Sequence, residues 1–320
     1  MRKSHEYFLV LAKYLHFTNA ANHLYISQQA LSDQIRRLES ELNVQLFIRK
    51  PVLKLTPAGE LLQKTLYEMR HIEGSFLARL NDLENVTTGE VHVGMHSGRV
   101  RILMPDILDA FYKKYPNVTV HITSEQTRVY QRLLTEGEFD FYFGINAKTA
   151  GEAEEDVIAF EPMYLAVCRD AVRNVFGSGY EEKLPELYRG ADAAAFQNTP
   201  LIFASDISQG QSAINSYLLR KGCRLTPALI LNDYTVQYRL LSILGGACFC
   251  YKSLIPLIHQ YNGTLPEGER IFTFPLADFR EDLKLSLIRY RGAFFPAYTQ
   301  FFYDLTKESL IHLLDGVTDE

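Results

Sequence analysis

The sequence predicts a small, mainly α winged helix-turn-helix head, a long helix behind it, and a large α/β body of two lobes. Three observations carry this. The first 58 residues hold short helical runs, two of them joined by only Tyr25-Ile26-Ser27. Thr56-Pro57 then opens a long run in which Leu62, Leu66, Met69, Phe76, Leu80 and Leu83 recur on three- and four-residue steps. Beyond Thr87-Thr88-Gly89 the pattern changes to strand–helix alternation. That stretch is about 230 residues, large for one sheet, so two lobes with a cleft are expected. The expected divisions are 1–58 for the head, 59–88 for the linker helix and 89–320 for the body. Within the body, lobe 1 takes about 89–162 and 277–320, and lobe 2 about 163–276.

In the head, Tyr7, Phe8, Leu11, Ala12 and Leu15 repeat at helical spacing. Thr18 is expected to cap a second helix that turns Ala20, Ala21 and Leu24 inward, and Ser27 a third that turns in Ala30, Leu31, Ile35 and Leu38. Phe47–Lys50 and Leu53–Leu55, around Pro51-Val52, read as a two-stranded wing. Thr56 as cap and Pro57 as first residue start the long helix, which can run to about Asn85. Its apolar stripe has one gap, at Glu73. It implies a partner helix, or else packing on the chain's own body.

In the body, strands are expected at Glu90–Met95, Val118–Thr123 and Phe139–Ile145, then near 158–168, 199–204, 227–231, 247–251, 271–275 and 283–290. Helices fall at 101–115 and 126–136, near 210–222, 234–244 and 253–260, and one closes the chain near 296–314. This alternation predicts parallel sheets with helices on their faces. Residues 173–197 carry little pattern and read as an insertion.

Composition narrows the function. Hydrophobic residues make up 47% and charged residues 22%, ordinary for a globular chain. The start, Met1-Arg2-Lys3-Ser4-His5-Glu6, leads into a periodic helix and not an apolar leader. No apolar run approaches the roughly 20 residues of a membrane span. Four cysteines point to a reducing, cytoplasmic setting and not to a disulfide framework. Net charge is −5, but residues 1–58 hold eight basic and four acidic side chains, leaving the remainder at −9. A basic head on an acidic body suits a DNA-reading module joined to something else.

Burying Ala30, Leu31, Ile35 and Leu38 leaves Gln28, Gln29, Ser32, Asp33 and Arg36 on the free face of the third helix. Such a helix enters the major groove by its N-terminal part, where Gln pairs with adenine and Arg with guanine or phosphate. The same glutamines can also be plain solvated first-turn residues. Arg49, Lys50 and Lys54 on the wing are placed to meet phosphates or the minor groove. Arg37 can touch DNA or pair with Glu41.

The ordered set Phe8, Ala12, Phe17-Thr18, Ala20-Ala21, Leu24, Ser27-Gln28, Ala30-Leu31-Ser32, Gln34-Ile35, Leu38-Glu39, Leu42, Leu46-Phe47, Arg49 and Leu55-Thr56-Pro57-Ala58-Gly59 resembles the LysR-type transcriptional regulators. Gly89–Gly94, Tyr115-Pro116-Asn117-Val118 and Gly137-Glu138-Phe139-Asp140 sit where that family has similar motifs. The resemblance implies a non-catalytic regulator that reads double-stranded DNA with two-fold symmetry as a homodimer or homotetramer. It also implies that the body is a periplasmic-binding-protein-like effector domain for a small molecule, with no membrane and no cofactor. The expected DNA-binding set is Thr18, Ser27, Gln28, Gln29, Ser32, Asp33, Arg36, Arg49, Lys50 and Lys54. The stripe from Leu62 to Leu83 is expected to dimerise. Departures stand at Gln29, where the family often has Pro, at Asp33, where it often has Arg, and at Leu15-His16, where it often has Gly-Ser.

Ligands of open α/β sheets bind beyond the carboxyl ends of strands. Those ends supply His96, Ser97, Arg99, Gln126, Thr127, Asn146, Ser205, Asp206 and Asn232 as effector-binding candidates. Ser97 leads, since the family commonly has a hydroxyl there; its other reading is a plain helix cap. Arg99 and Arg101 can fork around an anion or lie on the surface. Cys248 and Cys250 read as small core residues on one face of a buried strand, with a thiol sensor as the other reading. Gly245-Gly246 reads as a tight turn. No metal-ligating spacing and no G-x-S-x-G elbow is present. An enzyme or solute-binding protein could use the same two-lobed scaffold, but would not need the head or the heptad helix.

Overall fold

The chain begins with α1 (Lys3–Tyr14), α2 (Phe17–His23) and α3 (Gln28–Glu41), followed by the wing strands β1 (Phe47–Ile48) and β2 (Lys54–Leu55) and by α4 (Pro57–Leu83). This computed structural model describes residues 2–83, 88–125, 127–147, 149, 151–205, 208–281 and 283–316, with backbone only at 81, 127 and 128. The molecule divides into two compact units. One comprises Met1–Val86, Arg132–Glu138 and Gly292–Pro296; the other is the remainder.

Two caps in the head follow the sequence signals. The Ser27 Oγ accepts from the Ala30 N–H at 3.1 Å and starts α3. The Thr56 Oγ1 accepts from the Gly59 N–H at 3.0 Å and donates to the Gln45 carbonyl at 2.7 Å, starting α4 and tying it to the wing. A Cβ on Gly59 would collide with the Leu46 carbonyl, so this turn requires glycine. The cap of α2 differs from expectation. His16, not Thr18, receives the Asn19 N–H, at 3.3 Å, because the left-handed Leu15 ends α1 one residue earlier and Thr18 already lies inside α2.

Leu31, Ile35 and Leu38 of α3 pack with Phe8, Leu11, Ala20 and Phe47 in one core; Ala30, expected inward, is exposed. The long helix joins the same core, with Leu66 and Tyr67 buried in it and Leu62 packed against it. That corrects the dimerisation reading for Leu62 and Leu66, which cover their own head. Met69, Ile72, Phe76, Leu80 and Leu83 are exposed, so the outer stripe runs through Ile72 where the sequence reading found a gap at Glu73. Asn85 lies outside the described residues.

The second unit carries two five-stranded sheets. Its elements are β3 (Gly89–Gly94), α5 (Ser97–Lys114), β4 (Val118–Thr123), α6 (Thr127–Thr135, only its start belonging to this unit), β5 (Phe141–Ile145), β6 (Ala153–Glu161), β7 (Met163–Cys168), α7 (Arg169–Phe176), α8 (Leu184–Leu187), β8 (Leu201–Phe203), α9 (Gln209–Arg220), β9 (Pro227–Ile230), α10 (Tyr234–Leu244), β10 (Ala247–Tyr251), α11 (Ile255–Asn262), β11 (Ile271–Pro275), β12 (Leu283–Tyr290) and α12 (Ala297–Gly316). The strand orders are β4-β3-β5-β12-β6 and β11-β7-β10-β8-β9. Both sheets are mixed, not purely parallel as expected: β3 pairs parallel with β4 and β5, and β8 with β9 and β10, while β6, β7, β11 and β12 pair antiparallel. The run near 158–168 is two strands in different sheets. Pro162, which has no N–H to give a ladder, separates them.

Residues 173–197 are structured and not a plain insertion. They fold as the end of α7, as α8 and as short 3-10 turns that bury Tyr180, Leu187, Ala193 and Phe196. Gly245 ends α10 at a φ of +60°, the tight turn expected there. Among the described residues no helix is long and apolar enough to cross a membrane.

Candidate nucleic-acid interface and ligand cavity

The free face of α3 is polar from its first residue. Gln28, Gln29, Arg36 and Arg37 are exposed, and Ser32 and Asp33 are partly so. The Thr18 hydroxyl donates to the Gln28 Oε1 at 3.1 Å, which orients that amide and leaves its NH2 as a donor. Asp33 accepts from Arg36 at 3.1 Å, so its negative charge is offset by its neighbour on the next turn. The turn before α3 holds Tyr25 at a φ of +56° and 96% exposed. Sequence reasoning passed over Tyr25; an aromatic hydroxyl in the tight turn was its only signal.

The wing cations are not equivalent. Arg49 donates to the Glu39 Oε2 at 2.9 Å, and the Glu39 Oε1 accepts the N–H groups of Leu46 and Phe47 at 2.9 and 3.2 Å. Arg49 therefore clamps the wing to α3, while Lys50 and Lys54 stand exposed.

In the second unit a cavity of about 360 Å³ is lined by His96, Ser97, Gly98, Arg99, Glu125, Ile145, Ala204, Ser205, Ser208, Gln209, Asn232, Tyr234, Tyr251 and Leu254. The expected His96, Ser97, Arg99, Ser205 and Asn232 meet there. Asn146 does not line it: at a φ of +46° its Oδ1 accepts from the Lys284 N–H at 2.8 Å, a brace between β5 and β12. Gln126 and Asp206 lie outside the described residues, as does the side chain of Thr127. Tyr234 and Tyr251 were missed, whereas Glu125 and Ser208 belong to the same strand-end runs, 124–127 and 205–208, that supplied other candidates. The tyrosines read as core in an apolar strand or at a helix start, and only distant chain segments bring these four together.

Three helices begin at this cavity. Ser97 opens α5 with no side-chain cap from His96, Ser208 caps α9, and Asp233 caps α10 by accepting from Thr235 and Val236 at 2.9 and 3.2 Å. First-turn amides and the positive helix ends favour an oxyanion or another hydrogen-bond acceptor. The Asn232 Oδ1 holds the Ser205 N–H at 2.8 Å. The Tyr234 and Tyr251 rings meet edge to face at 5.6 Å, and burial pushes both phenols up. His96 is pushed down to about 4, by burial and then by Arg99, so its ring is neutral near pH 7.

Arg99 lines the cavity, and its buried Nε has no hydrogen-bond partner among the described residues. The residue is 2% exposed, donates to the Glu161 Oε2 at 2.6 Å, and lies between the Phe143 and Tyr251 rings, each 4.8 Å from the guanidinium carbon. The Glu161 Oε1 accepts the Ser253 N–H at 2.6 Å. Arg101 donates to the Thr235 hydroxyl at 2.8 Å and does not line the cavity. Cys248 and Cys250 are fully buried on β10, and burial raises both thiols well above their ordinary value, which suppresses the reactive thiolate.

Residues 3–60 match the family model described as "Bacterial regulatory helix-turn-helix protein, lysR family", and residues 84–310 match the "LysR substrate binding domain". The chain is similar to a "Probable RuBisCO transcriptional regulator" of Cyanidium caldarium, 34% identical over 125 residues, 39% of each chain. It is also similar to the "HTH-type transcriptional regulator CysB" of Haemophilus influenzae, 32% identical over 129 residues, 39% of this chain and 40% of that one. These matches span about two fifths of the curated relatives' length. Among solved structures, a full-length OxyR variant of Pseudomonas aeruginosa superposes with a TM-score of 0.64 at 18% identity, covering 100% of this chain and 98% of that one. CbnR complexed with its target DNA gives 0.55 at 19% identity, covering 97% and 100%. At such identities these structures show a shared fold. With both family models matched in order along nearly the whole chain, the protein belongs to the LysR family of bacterial helix-turn-helix regulators.

Proposed function

We propose that this chain is a cytoplasmic, sequence-specific DNA-binding transcriptional regulator that responds to a small molecule held between the two sheets of its body. The observation that carries the reading is α3: Leu31, Ile35 and Leu38 are engaged in the head core, and Gln28 and Gln29 stand exposed at its N-terminal turn. On this reading Gln28, Gln29, Ser32, Asp33 and Arg36 face base edges, while Thr18, Ser27, Tyr25, Lys50 and Lys54 orient the helix or meet phosphates. Residues 1–58 read DNA, 59–88 pair two copies, and 89–320 take the effector.

Met69, Ile72, Phe76, Leu80 and Leu83 of α4 meet the same stripe of a second copy, which places two heads on a two-fold symmetric site as a homodimer or homotetramer. The effector is a compact molecule bearing an oxyanion or a similar acceptor, held by the α5 amides with Ser97, Ser205, Ser208, Tyr234 and Tyr251. It changes DNA binding only by binding one assembly more tightly than another. A solute-binding protein or enzyme on the same scaffold would leave the head without a role. The test is a footprint of the purified full chain on DNA flanking its own gene. Protection of two symmetric half-sites at low salt is expected; no protection there overturns the reading.

A further inference from the structure

We propose that Glu90, His92 and His121 form a binding site for a divalent transition-metal ion of the zinc class on the rim of the first sheet. Glu90 and His92 are two apart on β3 and so face one side. β4 is an edge strand, and its His121 is the register partner of His92, which brings it to the same side. The two rings stack at 4.3 Å, 7° from parallel. Their Nε2 atoms lie 3.0 and 3.5 Å from the Glu90 Oε2, and the three ligand atoms all fall within 4.8 Å of one another.

These separations suit a shared ion. Zinc–nitrogen bonds of about 2.0–2.1 Å set tetrahedral ligand atoms about 3.4 Å apart. Two imidazoles and a carboxylate favour zinc, copper(II), nickel or cobalt over magnesium or calcium, which take oxygen. All three side chains are partly solvent-exposed, so the rings can turn edge-on to an ion without disturbing a core. The backbone beneath them is fixed, since Asp140 accepts the His92 N–H at 2.7 Å and gives its own N–H to the His92 carbonyl at 2.9 Å. A bound ion bridges β3 and β4, and its remaining positions take water or an incoming ligand. The sequence reading found no metal spacing because the ligands sit across a strand pair and not along one helix or loop.

The test is a Zn²⁺ titration of the tag-free, metal-stripped full chain against a chromophoric chelator, repeated with His121→Ala, His121→Gln and the double variant His92→Ala/His121→Ala. The proposal expects one equivalent bound by the unaltered chain and affinity weaker by roughly tenfold or more in each single variant, as loss of a ligand must cost at least what loss of its supporting contacts does. Co²⁺ should give the unaltered chain a visible ligand-field spectrum that the double variant lacks. Equal binding in all chains, or no binding by the unaltered chain beyond that of the double variant, overturns the proposal.

Discussion

The first turn of α3 and the wall of the cavity both carry polar side chains that no apolar core requires, but in opposite states. Gln28 and Gln29 sit in water, where an unmet amide group costs little, so Gln29 and the NH2 of Gln28 are open to a partner. Arg99 is buried, and a buried charge persists only if the chain itself compensates it, which Glu161, Phe143 and Tyr251 do. A helix face can therefore present charge and amide directly, whereas a desolvated cavity recognises mostly through hydroxyls and backbone N–H groups. Arg99 is held from behind by Glu161, while its Nε stands without a hydrogen-bond partner at the cavity wall.

The comparison breaks most visibly at Glu161. Glu161→Ala strands the Arg99 charge and should destabilise the full chain by about 3–5 kcal/mol, read from urea unfolding. Replacing both residues by apolar ones of similar size should restore most of that. A cost near that of an exposed ion pair, below about 1 kcal/mol, would mean that Arg99 does not depend on its partner.

His96 sharpens the contrast through pH. The folded ring takes a proton near 4 and the unfolded one near 6.5, so stability is full above 6.5 and falls as pH drops toward 4. The loss is on the order of 3 kcal/mol. Asp140, pushed up to about 6 by burial, slopes the other way over much the same window, so the informative quantity is the difference between the parent chain and His96→Gln. The variant should lose less stability between pH 6.5 and 4; parallel profiles would contradict the neutral, buried ring.

The smallest effects belong to the head. Gln29→Ala should remove about 1–3 kcal/mol of discrimination at one base pair while leaving stability unchanged. Lys50→Ala should weaken all sequences alike and lower the salt slope by about one. Arg49→Ala should change the slope less, because that side chain is committed to Glu39. Quantitative binding to a panel of single-base variants at several salt concentrations separates the three. Identical losses for all of them would dissolve the division between reading and positioning groups.

The head was legible because one helical period decides both what is buried and what is left over. Ser27, Leu31 and Ile35 fix the orientation of α3, and Gln28 and Gln29 follow from it. The same rule misled on α4. Leu62 and Leu66 keep phase with the head core, and beyond them the exposed stripe shifts to Ile72, so a single phase does not describe the whole helix. In the body, strand ends pointed to His96, Ser97, Ser205 and Asn232, since the crevice of an open α/β sheet lies beyond the carboxyl ends of its strands. They could not point to Tyr234, Tyr251 or Glu161, whose roles arise only when Arg99 is packed between the sheets. Nor could they show that Asn146, in a left-handed turn, would close on Lys284 instead of the cavity.

The most direct measurement is selection of random-sequence duplex DNA by the purified full chain at low salt, run beside the Gln28→Ala/Gln29→Ala variant. We predict that the parent chain enriches one motif with two-fold symmetry and that the variant loses it while keeping weak, salt-sensitive binding. Enrichment of the same motif by both chains, or of none by either, would contradict the assignment of α3 as the reading element.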